Sequence, residues 1–200
     1  MHDPSRFANV AGAVLTGGGS RRMGRDKTGL ELGGVPAARR AAELLAGLCE
    51  EVVLVGGDPP RDAPGRRVTD PSGPRCALRG LVGALEACAA ERVLVIATDL
   101  PLLGAELLLA LVAWSEADAV VPRDAGVAHP LCAVYRREAV LPLARRRLEG
   151  GELALSGLLG ELETLYFEGA DLAAVDPDGA ALTNVNTPEE LEAVRERLGR

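Results

Sequence analysis

The chain has 200 residues, of which 48% are hydrophobic, enough to bury a sizeable core in one domain. Its formal net charge of -7 excludes a duplex nucleic-acid binder, which needs a basic surface, so any anionic ligand must be held by a few placed cations. No apolar run approaches the ~20 residues of a membrane span, the start Met1-His2-Asp3-Pro4 does not resemble a secretory leader, and an aromatic content of 2% offers no stacking platform for single-stranded nucleic acid.

Short β-branched runs alternate with longer Ala/Leu/Arg segments, the pattern of a mostly parallel sheet covered by helices on both faces. Residues 1–9 read as a flexible start and 10–200 as a single domain. In chain order the expected elements are a strand at Val10–Leu15, a helix at Ala37–Leu48, strands at Glu51–Val55 and Arg66–Thr69, and a helix at Ala77–Ala89. A strand at Arg92–Ala97 comes next, then a helix at Ala105–Trp114, strands at Ala117–Val121 and His129–Tyr135, a helix at Arg137–Glu149 and a short one at Leu155–Leu162. The last helix, Pro188–Leu198, has the clearest start: Thr187 as N-cap, Pro188 at the first helical position and Glu190 closing a capping box. The fold class is α/β, a three-layer Rossmann-like sandwich. The four cysteines, Cys49, Cys76, Cys88 and Cys132, form no C-x-x-C pair and have only His2 and His129 to complete a zinc set, so they read as reduced thiols of a cytoplasmic protein.

The first strand runs straight into Gly17-Gly18-Gly19, where backbone can approach an anion without side chains in the way. Two familiar phosphate loops fail on spacing: Arg22 stands where a dinucleotide fingerprint needs glycine, and Arg25-Asp26 intervene between Gly24 and Lys27, where a P-loop needs Gly-Lys. Lys27 is the only lysine in a chain that otherwise uses arginine for every positive charge. A compact ammonium sits between phosphate oxygens in a way the planar guanidinium does not, and Arg21, Arg22 and Arg25 add three more cations to the same loop.

Asp99 comes just after the apolar run Val93–Ala97, at the carboxyl end of a strand that reads as central, which is where open α/β sheets place their ligands. A hard carboxylate there suits Mg²⁺ bound to substrate phosphates. Asp70 ends another short strand, so Leu15, Asp70 and Asp99 fall on one edge of one sheet. His129 reads as a structural histidine, and Arg145-Arg146-Arg147 as an exposed helix end favourable to the dipole.

The stretch L-T-G-G-G-S-R-R-M-G-R-D-K from Leu15 to Lys27 resembles the signature loop of the sugar-nucleotide and cofactor nucleotidyltransferases, and more narrowly that of the molybdenum cofactor guanylyltransferases. The resemblance continues through Asp70 and its Gly-Pro loop, Thr98-Asp99-Leu100-Pro101-Leu102, His129-Pro130-Leu131 and Asn184-Val185-Asn186-Thr187-Pro188-Glu189-Glu190-Leu191. Three positions depart from it: Thr16 stands where the family usually has Ala, Val55-Gly56-Gly57 lacks an Asn, and Ala77-Leu78-Arg79-Gly80-Leu81 replaces P-L-A-G-L.

The resemblance implies transfer of GMP from GTP to molybdenum-molybdopterin, with pyrophosphate leaving and Mg²⁺ as cofactor. Leu15, Thr16 and Gly17 would hold the base and ribose end through backbone groups, Asp70 would contact the guanosine, Lys27 and Arg22 would meet the phosphates, Asp99 would ligate Mg²⁺, and Asn184 and Asn186 would face the pterin. It further implies small-molecule substrates without nucleic acid or membrane, and transient contact with the molybdoenzymes or chaperones that receive the product. A relative using CTP or another phosphorylated acceptor stays open, as does a GTP-binding module without turnover. Arg22 in place of the third fingerprint glycine argues against a nicotinamide-dependent oxidoreductase.

Overall fold

The structure, a computed structural model, describes Phe7 and residues 9–17, 31–32, 34–114, 117–185 and 188–198. The strand Val10–Leu15 (β1) is buried along its whole length, with Val10 and Val14 in one core and Ala11, Ala13 and Leu15 in the other. A strand with apolar groups on both faces has to lie inside a sheet, and β1 does, between two parallel neighbours. Its small central residues let a helix come close: a Cβ built on Gly12 would stand 3.0 Å from the Cβ of Leu45.

Glu31–Leu32 (β2) and Val35–Pro36 (β3) form a small separate ribbon. The helix Ala37–Leu48 (α1) comes next, then Val52–Val55 (β4) beside β1 and Arg66–Val68 (β5) at the sheet edge. The helix Ala77–Ala87 (α2) crosses back to Arg92–Ala97 (β6) on the other flank of β1. The remaining elements are Ala105–Ala113 (α3), Ala119–Asp124 (β7), Val127–Ala128 (β8), Cys132–Arg136 (β9), Arg137–Glu149 (α4), Leu155–Gly160 (α5), Thr164–Phe167 (β10), Gly169–Val175 (α6) and Pro188–Leu198 (α7). The sheet order is β10-β7-β9-β6-β1-β4-β5, with β8 paired to β7. Of the seven strands along that path only β9 runs antiparallel.

Helices α1, α3 and α6 pack on one face, and α2, α4 and α5 on the other. The three-layer sandwich expected from the sequence is thus the fold observed. Because the chain leaves β1 toward β4 and β5 and returns to β6, β1 marks the switch point of the sheet, where a crevice opens beyond the strand ends.

Element boundaries differ from expectation in ways that have local causes. Strand β7 lies two to three residues later, at Ala119–Asp124, carried on by its hairpin with β8 through Ala125 at a positive φ of 45° and Gly126. Strand β10 and helix α6, neither expected, close that flank, where the Trp114 and Phe167 rings meet edge to face at 5.2 Å. Arg147 is not at an exposed helix end: its side chain is 10% accessible and paired with Glu152 and Glu161. Thr187, the expected N-cap of α7, lies outside the described residues. Phe7 is tied to the core by its N–H, which donates to the Leu48 carbonyl at 2.9 Å. All four cysteines are thiols, three of them buried, and burial pushes Cys88 and Cys132 up to about 12.

Tyr135, fully buried in β9, donates its hydroxyl to the Pro130 carbonyl at 2.6 Å and so fixes the turn that brings His129 to the strand-end edge. Tyr135→Phe leaves that carbonyl without its donor and is expected to cost about 1–2 kcal/mol, lowering Tm by about 3–8 °C. A thermal scan that finds no change would show that water satisfies Pro130 equally well.

Candidate active site

The register aligns Leu15 with Val55 on one side and with Ala97 on the other, and Val55 with Val68, so four parallel strands end in one row. The residues just past each strand form the site: Thr16-Gly17 after β1, Gly56-Gly57 after β4, Asp70 after β5, Thr98-Asp99 after β6. With strands about 4.8 Å apart, the ends of β5 and β6 are separated by roughly 14 Å, the length scale of a nucleoside with its phosphates.

At the β1–β4 end a single carbonyl organises the turn. The Val55 oxygen accepts the N–H of Thr16 at 2.9 Å and of Gly17 at 3.2 Å, and the Thr16 hydroxyl lies 3.1 Å from it. The same hydroxyl is also within hydrogen-bond distance of the Gly56 carbonyl, and its single proton serves one of them at a time. The two N–H groups are therefore spent inside the protein. Thr16 is 1% exposed, so its hydroxyl is a brace rather than a contact surface.

Gly56 and Gly57 continue the turn with φ of 72° and 56°, the left-handed region that glycine enters without strain. The turn brings the backbone beneath Asp70: a Cβ on Gly56 would fall 2.7 Å from Asp70 Oδ2, and one on Gly17 would fall 3.1 Å from the same oxygen. Asp70 is held from the other side by Arg79, whose Nη2 donates to Oδ2 at 2.9 Å. Helix α2 supports this corner closely, since a Cβ on Gly83 would meet the Pro71 ring at 2.9 Å and Val55 at 3.0 Å.

At the β6 end, Thr98 is buried and Asp99 half-buried, and the Asp99 carbonyl accepts the Val185 N–H at 2.9 Å. That bond brings the exposed Asn184 to the Asp99 turn. Val185, with Leu191 and Val194 of α7, packs against Ala37 and Leu102. His129 reaches the same edge from the antiparallel β9, half-buried; burial lowers it below the ordinary histidine value, while the negative charges of Asp124 and Asp99 pull it back up. A cavity of about 260 Å³ opens beside Thr98 and Pro101, walled by α1 and carrying Arg40.

The structure thus brings Leu15, Thr16, Gly17 and Asp70 together at one end of the row and Asp99 and Asn184 at the other. Arg22, Lys27 and Asn186 lie outside the described residues. Arg79 is a site residue that sequence reasoning did not single out; its signal was the departure from P-L-A-G-L at that position.

An open, mostly parallel sheet with a glycine and carboxylate edge at its switch point defines a nucleotide-handling α/β enzyme. A family model for the MobA-like NTP transferase domain matches residues 12–164. The chain is 38% identical over 200 residues to the "Probable molybdenum cofactor guanylyltransferase" of Chloroflexus aggregans, covering 95% of each chain. It is 31% identical to the molybdenum cofactor guanylyltransferase of Desulfosudis oleivorans, covering 92% of this chain and 93% of that one. Among solved structures, the molybdopterin-guanine dinucleotide biosynthesis protein A of Archaeoglobus fulgidus superposes with a TM-score of 0.81 at 25% identity, covering 94% of this chain and 98% of that one. The 2-C-methyl-D-erythritol 4-phosphate cytidylyltransferase of Thermus thermophilus shares the fold, with a TM-score of 0.70 at 15% identity over 94% of this chain and 98% of that one. The chain belongs to the MobA-like NTP transferase family and is a nucleotidyltransferase.

Gly56→Ala would place a methyl group at a positive φ and inside the Asp70 carboxylate. It is expected to cost about 1–3 kcal/mol in the free enzyme and, by displacing Asp70, to weaken nucleotide binding as well. Calorimetry of the variant checks both; wild-type Tm together with wild-type affinity would show that Asp70 moves aside without consequence.

Proposed function

We propose that this nucleotidyltransferase transfers GMP from GTP to a terminal phosphate of molybdenum-bearing molybdopterin, forming molybdopterin guanine dinucleotide and pyrophosphate. The observation that carries this reading is the row of strand ends itself: a backbone and carboxylate corner at β1, β4 and β5 sized for a nucleoside, and a carboxylate at β6 about one nucleotide's length away, in a chain whose relatives bear guanylyltransferase names.

The acceptor phosphate is already an anion, so the reaction needs neither a covalent intermediate nor a strong base, and the work of the chain is positioning and charge neutralisation. Backbone groups of Leu15, Thr16 and Gly17 hold the nucleoside together with Asp70. Lys27 and Arg22 take up charge on the departing pyrophosphate. Asn184, at the Asp99 turn, and Asn186 face the pterin, so the acceptor approaches from the β6 side while the nucleoside lies on the β5 side.

Among the described residues no three His, Cys, Asp or Glu side chains gather to form a closed metal site. A single strand-end carboxylate suits Mg²⁺, which takes one or two protein carboxylates and fills its other positions with water and substrate phosphates. Asp99 would hold it there. When bound, the ion withdraws charge from the α-phosphate.

Among the described residues no helix is long and apolar enough to cross a membrane. We place the reaction in the cytoplasm, with molybdoenzymes or their chaperones receiving the product.

Pyrophosphate release measured with each nucleoside triphosphate, with and without molybdopterin, tests the assignment: release is expected with GTP and only when molybdopterin is present. Saturating GTP, at ~100 times its dissociation constant, should stabilise the fold by ~2.7 kcal/mol, a rise in Tm on the order of 5–10 °C, with a much smaller rise for CTP. An equal rise with CTP would overturn the guanine choice and leave the transferase reading standing.

Lys27→Ala should cut turnover by at least ~10²-fold with the fold intact, and Asp99→Asn should weaken activation by Mg²⁺ at little cost in stability. Retention of half the wild-type rate in the first, or unchanged Mg²⁺ dependence in the second, would remove that residue from the mechanism.

A further inference from the structure

Arg79 occupies a costly position. It lies in the first turn of α2, where the helix dipole is positive and the turn itself holds no acidic residue. Its guanidinium side chain is only 16% accessible, and its enclosed Nε–H finds no acceptor among the described residues, which is unfavourable for a buried donor. Stability alone is a poor reason for an arginine here.

What Arg79 does make is two bonds that define the nucleoside corner. Nη2 donates to Asp70 Oδ2 at 2.9 Å and Nη1 to the Gly73 carbonyl at 2.9 Å, so one planar fork ties both ends of the loop running from Asp70 through Pro71, Gly73 and Pro74. Both carboxylate oxygens lie over the bare backbone of Gly56, Oδ2 2.7 Å and Oδ1 2.8 Å from where a Cβ would fall, and with Arg79 on Oδ2 the group keeps lone pairs for a ligand's donor.

We propose that Arg79 is a positioning residue for nucleotide recognition: it orders the Asp70 loop in advance and holds the Asp70 carboxylate over the glycine turn, facing the nucleoside. This rests on the reading of that corner as the nucleoside end of a GTP site. The fork geometry matters, because a lysine in its place could hold Asp70 or Gly73 but not both in one plane. Arg79 acts on the nucleoside and not on the triphosphate, which lies toward the β6 end.

The test compares wild type, Arg79→Ala, Arg79→Lys, Asp70→Asn and the double variant Asp70→Asn with Arg79→Ala. Affinities for GTP, GMP and inorganic tripolyphosphate are measured by calorimetry, alongside the Tm of each free protein. Arg79→Ala is expected to raise Kd for GTP and for GMP by about tenfold, the scale of one lost hydrogen bond to a charged group, and to leave tripolyphosphate unchanged. Arg79→Lys should show a smaller loss in the same direction, and it carries the comparison if the alanine variant does not fold. The double variant should bind GTP no more weakly than Asp70→Asn alone, since Arg79 works through that carboxylate. The proposal is overturned if Arg79→Ala binds GTP within twofold of wild type, if tripolyphosphate weakens as much as GTP, or if the arginine still matters once Asp70 is an amide. Failure of the wild type to bind GTP while binding another nucleoside triphosphate would sink the guanine reading instead, and the same comparison with that nucleotide would then decide the role of Arg79.

Discussion

One carbonyl oxygen, that of Val55, sets the geometry on which the nucleotide edge depends. By taking the N–H groups of both Thr16 and Gly17 it welds the end of β1 to the end of β4 past the last ladder pair, Leu15 with Val55. The weld consumes the donors that an exposed glycine turn would otherwise offer to an anion. Those two N–H groups are therefore not open to an anion, and the Asp70 carboxylate beside them is an acceptor of the kind that suits the donors of a base or a ribose.

The charge distribution bears on the same edge. Asp70, Asp99 and Asp124 all sit at or just beyond strand ends on the ligand side, and the chain as a whole carries -7. A triphosphate approaching this edge meets repulsion unless cations lie in its path. In sequence the cations concentrate in Arg21, Arg22, Arg25 and Lys27, within seven residues, while many of the arginines elsewhere tie elements together. Arg147 is nearly enclosed between Glu152 and Glu161, Arg123 bridges Glu168 and covers the Tyr166 ring at 4.0 Å, and Arg136 holds Asp118. Most other pairs are exposed and worth little for stability; the fold rests on its two cores.

The parts of the fold legible in sequence were those with strong periodicity: the doubly buried runs of β1, β4 and β6, and the helices that cover them. The direction of β9 was not legible, because a five-residue strand buried on both faces looks alike whether parallel or antiparallel. Strand β10 was missed for its brevity, four residues wedged between Glu163 and Glu168, with a pairing to β7 that only the tertiary fold supplies. At the site, positions read from chain order alone held: Leu15, Asp70 and Asp99 do lie at or just past strand ends on one edge of the sheet. What sequence could not reveal was which polar groups remain available there. That the Thr16 and Gly17 N–H groups are already taken, and that Arg79 reaches Asp70, both depend on loops folding back onto β4, and no spacing rule encodes either contact.

Gly56 also constrains how this chain can change over generations. Every replacement of a glycine introduces a side chain, and any side chain at Gly56 collides with Asp70 in a backbone conformation that L-residues resist. A change at that position therefore has to displace the Asp70 carboxylate as well. Drift toward a different nucleotide has to enter from the side where atoms can be exchanged gradually, through the first turn of α2. The glycine turn acts as the fixed wall of the site, and the helix facing it as the wall that selection can move.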